Sequence, residues 1–454
     1  MNMKKMASGS FTKQSIVSLV CHITCMVGTL LSQVIISRVY GPEGRGIFAY
    51  AYMLAGVLTL LLSSGHSLAN AYFVASRKQH ASEAAGSSII GLALSVLLLS
   101  VFTFYVIRWR PSFVLLLSNS IILLAFAGIP FSLLAEQLGG ILRGLGHSDL
   151  AYMYYGASNL ARLLALVVLC LLLSGMQLEA VFVAGLIGVG VGLLTTLWFL
   201  RHYMTPSWLK PQMRAFIQSM GYSLKFYGAK IFSPMDIRVE VIVIPLLLND
   251  VVSLGNYAQG VAVLSQLLLL PSVIGYVLMP HVAAKNMTES NYLTAKVCRL
   301  VFFLSVCMGI AILFLAKPVV PLVFGRNFSA AIQLIWIMLA GMILRSVSRI
   351  LYYYCQGAGM PMTISVVAFV SLAVMLATDI ILIPMIGIKG AAVGTLCACF
   401  VEFFMFTYLF LRKSGVTLGQ MLFIRREDMR LLINKFRSQE KLRAEMQSTN
   451  TYLE

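Results

Sequence analysis

Six cationic side chains fall within long apolar stretches of this sequence, where burying an ionisable group is costly. They are Arg162, Lys225, Lys230, Arg238, Arg345 and Arg349. Such residues normally face the interior of a helix bundle or a water-filled cavity. Guanidinium groups offer paired donors that match the oxygens of a phosphate. The sequence therefore predicts a cavity that binds an anion.

Helical spacing joins several of these cations to polar neighbours. Residues that recur at intervals of three or four share one face of a helix. One stripe holds Arg345, Arg349, Tyr352 and Gln356, and another holds Tyr152, Tyr155, Asn159 and Arg162. The substrate-binding residues predicted from depth and facing are Arg162, Arg345, Arg349, Lys225, Lys230, Arg238, Tyr155, Asn159 and Tyr352.

Four acidic residues lie at similar depth or nearer the ends of the apolar stretches, namely Asp236, Glu240, Asp379 and Glu402. We consider them candidates for coupling transport to an ion. Two structural explanations stay open at this point. Asp236 and Arg238 could neutralise neighbouring charges as a pair, and Lys225 could extend its ammonium group to the inner membrane surface.

The composition indicates that these residues lie within a membrane. Hydrophobic residues make up 59% of the 454 positions and charged residues only 11%, against about 25% charge in a soluble domain. A membrane span needs about 20 apolar residues, and within lipid it must be helical to satisfy its backbone. We count twelve such runs: 14–37, 48–74, 85–107, 113–140, 150–173, 180–200, 216–248, 252–280, 293–316, 328–356, 362–384 and 388–411.

The two halves of the chain contain similar segments. Gly46 to Tyr50 (GIFAY) is matched by Gly255 to Gln259 (GNYAQ), and Gly144 is matched by Gly357 at almost the same offset. A half-length period in a membrane protein is typical of two bundles around a central path. We therefore predict an all-α integral membrane fold of twelve transmembrane helices, in two six-helix lobes related by a parallel internal repeat. The lobes are 1–207 and 208–412, followed by a basic, amphipathic cytoplasmic tail at 413–454.

The charge distribution predicts the orientation of the chain. If both termini lie on the same side of the membrane, most of the 34 Lys and Arg residues fall on that side too. The positive-inside bias then places both termini in the cytoplasm. The net charge of +18 thus reflects topology, and we expect no nucleic-acid partner.

Motifs for enzymatic chemistry are missing from the sequence. There is no G-x-x-x-x-G-K-S/T phosphate loop, no G-x-S-x-G elbow, no H-E-x-x-H pair and no C-x-x-C. The six histidines are scattered, and the eight cysteines lie mostly within apolar spans. We therefore expect no catalytic residue, cofactor or metal site, and a transporter in place of an enzyme.

Four segments in order resemble the polysaccharide-repeat (O-antigen and capsule type) flippases of the multidrug/oligosaccharidyl-lipid/polysaccharide exporter superfamily. They are RVYGPEGRGIFAY at 38–50, LGNYA at 254–258 with Met279-Pro280, FGRNF at 324–328 and IPMIGIKGAA at 383–392. The resemblance implies a bacterial inner-membrane protein that moves an undecaprenyl-pyrophosphate-linked oligosaccharide to the outer leaflet by alternating access. It implies as partners this anionic lipid-linked oligosaccharide and membrane lipids, with a polysaccharide polymerase and assembly proteins as candidates.

Four other functions stay open. A multidrug/cation antiporter of the same superfamily would favour acids over arginines in its cavity. A lipid II flippase usually carries two further helices. A membrane enzyme of the pathway would place catalytic residues on a large outer loop, which the sequence does not contain, and a non-transporting assembly component remains a further alternative.

Overall fold

The computed structural model describes residues 3–172, 177–204, 210–232, 235–284 and 287–423, with side chains from residue 21 onward except 22–23, 148, 172, 225–238, 280 and 284. Nearly all of the described residues are helical, and none of them forms a strand. The predicted all-α class is therefore confirmed. Within the described residues, ten helices are long and apolar enough to cross a membrane, so the chain is a multi-pass membrane protein.

The first half of the chain contains helices that run back and forth between the two ends of the molecule. They are α1 (Met3–Ser63), α2 (His66–Ala75), α3 (Ala81–Trp109), α4 (Asn119–Gly144), α5 (Ser148–Leu172) and α6 (Glu179–Leu200).

The second half has a similar arrangement with more interruptions. Its helices are α7 (Met213–Phe232), α8 (Met235–Leu248), α9 (Val251–Leu264), α10 (Leu269–Ala284), α11 (Met287–Phe324), α12 (Ser329–Gly357), α13 (Pro361–Ile386), α14 (Ile388–Ser414) and the short α15 (Leu418–Leu422).

The ten candidate spans found among the described residues do not test the predicted count of twelve, for two reasons. The first two predicted spans fall largely within α1, where two helices meet at a kink, because Gly41 has a φ of 63° and a ψ of −167°, which are not helical, and Pro42 follows. Proline lacks an amide donor, so it suits the first turn of the second of these helices. In the predicted span at 216–248, residues 233–234 lie outside the described part of the chain and the side chains of 225–238 are not described, so only Val239–Leu248 is identified there, as a shorter apolar helix.

The hydrophobic core differs between the two ends of the molecule. One large cluster of buried residues combines both halves of the chain, through α1, α3 and α4 with α8, α9, α11, α12 and α14. At the opposite end, one cluster is confined to α2–α6 and another to α10–α15. We call these the joined end and the split end. The predicted orientation would place the split end in the cytoplasm.

At the joined end the halves meet backbone to backbone. A Cβ atom added to Gly255 of α9 would lie 1.8 Å from the carbonyl oxygen of Pro42, and one added to Gly46 of α1 would lie 2.1 Å from that of Val251. Only glycine permits so close an approach. The two glycines that the sequence pairs as repeat equivalents are therefore contact partners.

The second pair of repeat-equivalent glycines lies in matching surroundings. A Cβ on Gly144 would be 2.8 Å from both the Ala71 oxygen and the Val74 Cβ. A Cβ on Gly357 would be 2.5 Å from the Met279 oxygen and 3.0 Å from the Val282 Cβ. Each glycine thus allows the close approach of a helix that lies about 70–80 residues earlier in the chain. Of the predicted tail, residues 424–454 lie outside the described part of the chain.

We predict that Gly255→Ala lowers the thermal unfolding midpoint of the purified protein. The added methyl group cannot fit at 1.8 Å from Pro42, and overpacking of this kind typically costs about 1–3 kcal/mol. The matched control is Gly190→Ala on α6, where an added Cβ meets no atom within 4 Å. Equal midpoints for the two variants would show that the glycine contact does not constrain the helices.

Candidate functional site

The stripe on α5 presents an arginine whose hydrogen-bond partners among the described residues are all neutral. Arg162 donates to the Asn159 Oδ1 at 2.9 Å and to the Thr29 Oγ1 of α1 at 3.4 Å. Thr29 in turn donates to the same Asn159 oxygen at 3.3 Å. The Arg162 Nε is buried and has no hydrogen-bond partner among the described residues. The positive charge is positioned by this network without being neutralised by it.

The stripe on α12 presents a second arginine in a comparable setting. Arg349 donates from Nε to the Ser272 Oγ of α10 at 3.4 Å. Its guanidinium carbon lies 5.7 Å from the centre of the Tyr352 ring, whose hydroxyl accepts from Gln356 at 2.9 Å. A cation over an aromatic face is stabilised without loss of its charge. Arg349 therefore stays available to an anion.

Arg345, one turn away on α12, differs because it is paired with an acid. Its Nε lies 3.1 Å from the Glu402 Oε2 of α14, with side-chain exposures of 14% and 18%. Both residues line a cavity of about 40 Å³ that Arg349, Tyr352 and other residues also line. Glu402 thus lies beside the cationic stripe and partly offsets its charge, a contact that spacing within α12 could not predict.

A chain of tyrosines connects the two arginine stripes across the halves of the molecule. The hydroxyl groups of Tyr152 on α5 and Tyr276 on α10 lie 3.1 Å apart. Tyr276 continues to Tyr353 and then to Tyr352 through ring contacts of 6.5 and 5.4 Å, and Tyr152 contacts Tyr155 at 6.3 Å. Tyr155 and Tyr276 are 38% and 52% exposed. The cationic stripes and this aromatic bridge form one surface at the split end.

Two of the predicted ion-coupling acids lie away from that surface, in the second half of the chain. Glu240 of α8 is buried and accepts from the Thr395 Oγ1 of α14 at 2.7 Å, and Thr395 also contacts the Tyr257 hydroxyl at 2.8 Å. Asp379 of α13 is fully buried, and neither of its carboxyl oxygens has a hydrogen-bond partner among the described residues. A Cβ on Gly394 would lie 2.0 Å from Asp379. Both carboxyl groups therefore adjoin the same turn of α14.

The other predicted site residues fall where the structure gives no side chains. They are Lys225 and Lys230 on α7, and Asp236 and Arg238 on α8. Their roles remain predictions. Within the described part of the chain, no group of three or more metal-binding side chains occurs.

Sequence reasoning did not identify a buried arginine between the halves at the joined end. Arg45 of α1 is 5% exposed and donates to the Gln259 Oε1 of α9 at 3.3 Å. Ser37 donates to the same oxygen at 3.0 Å. In the sequence, Arg45 directly precedes the first repeat segment and Gln259 ends the second. Their contact could be predicted only if the two segments were known to touch.

A seam between α2 and α7 at the split end was also not predicted. Tyr72 stacks on Tyr222 with ring centres 4.5 Å apart, and His66 stacks on Phe216 at 5.3 Å. Several buried polar atoms of the seam lack hydrogen-bond partners among the described residues, namely both His66 ring nitrogens and the hydroxyl groups of Ser219 and Ser223. The seam is therefore a second contact between the halves at the split end, in addition to the Tyr152–Tyr276 contact.

Comparison with known structures identifies the fold. A structure titled lipid II flippase MurJ, inward closed conformation, aligns with a TM-score of 0.71 at 13% identity, over 88% of this chain and 90% of that one. An inward-facing multidrug resistance MATE family transporter of the MOP superfamily aligns with a TM-score of 0.63 at 15% identity, over 88% and 100%. The Vibrio cholerae MATE transporter VcmN in its bent form gives 0.60 at 13% identity, over 89% and 98%.

Comparison of sequences identifies the family. No curated protein sequence matches the chain. The family described as "Polysaccharide biosynthesis protein" matches residues 11–285, more than half of the chain. On this match, the chain is a member of the polysaccharide biosynthesis protein family.

Proposed function

We propose that this protein is a flippase that moves an undecaprenyl-pyrophosphate-linked oligosaccharide across the bacterial cytoplasmic membrane for surface polysaccharide synthesis. The observation that carries the proposal is the pair of arginines, Arg162 and Arg349, held by neutral partners at the two ends of the tyrosine bridge. The pyrophosphate would bind the guanidinium groups, which match its oxygens. The sugars would stack on the tyrosine rings and bond to Asn159 and Gln356.

The division of the core supports alternating access between two lobes, which we take as 1–207 and 208–412. The halves share buried residues at the joined end and have separate clusters at the split end. If the split end faces the cytoplasm, the headgroup enters between α5 and α12 once the Tyr152–Tyr276 contact opens. The two halves then rock to expose the site outward.

The membrane potential could bias the direction of transport. An anion that moves outward runs down an inside-negative potential, gaining ~2.3 kcal/mol per charge per 100 mV. The Glu240–Asp379 pair offers a second energy source for transport, by coupling it to an ion gradient. Two buried carboxylates that adjoin one turn of α14 are costly unless a proton or cation neutralises them. We propose this pair as the ion-coupling site.

The antiporter alternative receives less support from the placement of charge. Of the four acids predicted for the cavity, Glu402 offsets one arginine and the Glu240–Asp379 pair lies apart from the stripes. The described surface beside the tyrosine bridge is therefore cationic. A transporter of anions fits this charge better than a transporter of organic cations, and better than an enzyme.

We predict that Arg162→Gln and Arg349→Gln each slow translocation of a lipid-linked oligosaccharide diphosphate about tenfold or more, since a hydrogen bond to a charged group contributes ~1.5–3 kcal/mol. Because both guanidinium groups would bind the same diphosphate, the double variant should be slower than either single variant, but the two effects need not multiply. The measurement is flipping in vesicles that contain the purified protein. Arg108→Gln, at an exposed position on α3, is the control and should flip normally. Normal flipping by the double variant would remove the site assignment.

Replacement of Glu402 is expected to strengthen substrate binding, in contrast to the arginine substitutions. Replacing it with glutamine removes the negative charge beside Arg345, so the anionic headgroup should bind several-fold more tightly. Isothermal titration with a short-chain lipid-linked oligosaccharide diphosphate would measure the dissociation constant. Glu43→Gln, at an exposed position on α1, is the matched control. Weaker binding by Glu402→Gln would mean that Glu402 orients Arg345 and does not compete with the substrate.

The ion-coupling proposal predicts that Asp379→Asn removes the response of flipping to an imposed ion gradient. Binding of the headgroup should be unchanged, because Asp379 lies apart from the arginine stripes. The thermal midpoint should rise, since an unpartnered buried carboxyl group is replaced by a neutral amide. Initial flipping rates would be compared with and without proton and sodium gradients, each applied separately. An undiminished gradient response in both Asp379→Asn and Glu240→Gln would exclude this pair.

A further inference from the structure

A second cationic pocket lies at the joined end, outside the site described above. It is an open cavity of about 360 Å³ between α1 and the connection from α11 to α12. Its lining residues are Arg38, Pro321, Leu322, Gly325 and Arg326. The lining contains two arginines and no carboxylate. Under the predicted orientation the pocket lies at the outer surface, where the positive-inside bias leaves few cations.

Arg38 is fixed in this pocket by the end of a helix. Its Nε donates to the carbonyl oxygen of Val323 at 2.8 Å, and its Nη2 donates to that of Leu322. These carbonyls belong to the last turn of α11, where helical partners are lacking and a cation is favoured. The guanidinium uses one edge for this contact. Its side chain is exposed, so the other donors face the pocket.

Arg326 has no such structural role. Its guanidinium forms no hydrogen bond or ion pair with any residue that the structure describes, and its side chain is exposed. Gly325, with a φ of 112°, makes the turn that brings Arg326 next to the end of α11. The pocket thus combines an anchored arginine with an unengaged one. This arrangement suits a group with several anionic oxygens.

The surface leading to the pocket is apolar. Along the second half of α11, four large side chains are more than half exposed, namely Ile310, Phe314, Leu315 and Leu322. In a membrane protein such a surface contacts lipid chains. A hydrocarbon chain that lies along α11 would bring its headgroup to the pocket, because Leu322 lines both the apolar surface and the cavity.

We propose that the Arg38–Arg326 pocket binds the phosphate group of an anionic lipid. Two kinds of lipid carry this chemistry at a membrane surface: a bilayer phospholipid with a net negative charge, and a prenyl diphosphate. Bound phosphate would bridge α1 of the first half to the α11–α12 connection of the second. The pocket lies apart from Arg162 and Arg349, so binding here does not depend on the transport function proposed above.

The test compares lipid binding by full-length variants with two probes. One probe is phosphatidylglycerol, titrated against a phosphatidylcholine background and counted by native mass spectrometry. The other is farnesyl diphosphate, whose dissociation constant is measured by calorimetry. Arg326→Gln should weaken binding about tenfold, the factor that ~1.4 kcal/mol represents. Arg326→Lys should bind the probes more weakly than the parent protein and more tightly than Arg326→Gln, because lysine keeps the charge but lacks the paired donors.

Controls separate this effect from a change in fold or in bulk charge. Arg108→Gln removes an exposed arginine that does not line the pocket, so it should bind both probes normally. Since the Arg326 guanidinium makes no described contact, Arg326→Gln should keep the unfolding midpoint of the parent protein. Arg38→Gln should also weaken binding, but with a lower midpoint, because it loses its two bonds to α11.

Each outcome has a defined meaning. Weaker binding of both probes supports a general lipid-phosphate site, weaker binding of farnesyl diphosphate alone supports a site for the prenyl carrier, and weaker binding of phosphatidylglycerol alone supports a bilayer-lipid site. If Arg326→Gln binds both probes as Arg108→Gln does, the proposal is overturned. That result would leave the transport proposal intact, since the latter is tested at Arg162 and Arg349.

Discussion

The contact between Gly46 and Gly255 is the constraint on which the arrangement of the two halves depends. Where two helix backbones touch without side chains between them, any change in their separation opens a void or creates a clash. The nearby Arg45–Gln259 bond and the shared core fix the rotation of α1 against α9. Movement of the halves is then most easily accommodated as rocking about this contact, with its largest amplitude at the split end, where α5, α10 and α12 carry the arginines and tyrosines.

The distribution of charge follows a pattern that fits this geometry. Arg162 and Arg349, on different halves, have only neutral hydrogen-bond partners among the described residues, so neither charge is neutralised by them. Arg345 and Glu402 belong to the same half and offset one another. Glu240 and Asp379 also belong to one half and adjoin α14. Rocking therefore changes the distance between the two unneutralised cations while each acidic group keeps its neighbours, and a bound anion is the natural bridge between those cations.

The sequence predicted those features that depend on a single helix. All four residues of the Arg345 stripe do lie on α12, and all four of the Arg162 stripe lie on α5, because helical periodicity fixes facing within one element. Contacts between different helices could not be predicted from the periodicity within one helix. The pairing of Glu402 with Arg345, the tyrosine bridge from α5 to α10 and the approach of Glu240 to α14 all require helix packing, which hydrophobicity does not encode. The count of twelve spans stays a prediction, because two helices meet at the non-helical Gly41 and part of the predicted span 216–248 lies outside the described residues.

The two ends of the molecule are held by contacts of different physical kinds, which bears on how the proposed transport cycle would proceed. At the joined end, the halves share glycine backbone contacts and a large buried apolar cluster, and separating them would expose that surface. At the split end, they meet through partly exposed tyrosine hydroxyls and through the aromatic seam of α2 and α7, while their buried clusters are separate. Opening the split end therefore exposes less buried apolar surface and is the less costly movement from this conformation. Exposure of the joined end needs a compensating interaction, which an anion drawn between Arg162 and Arg349 would provide by pulling the split end closed.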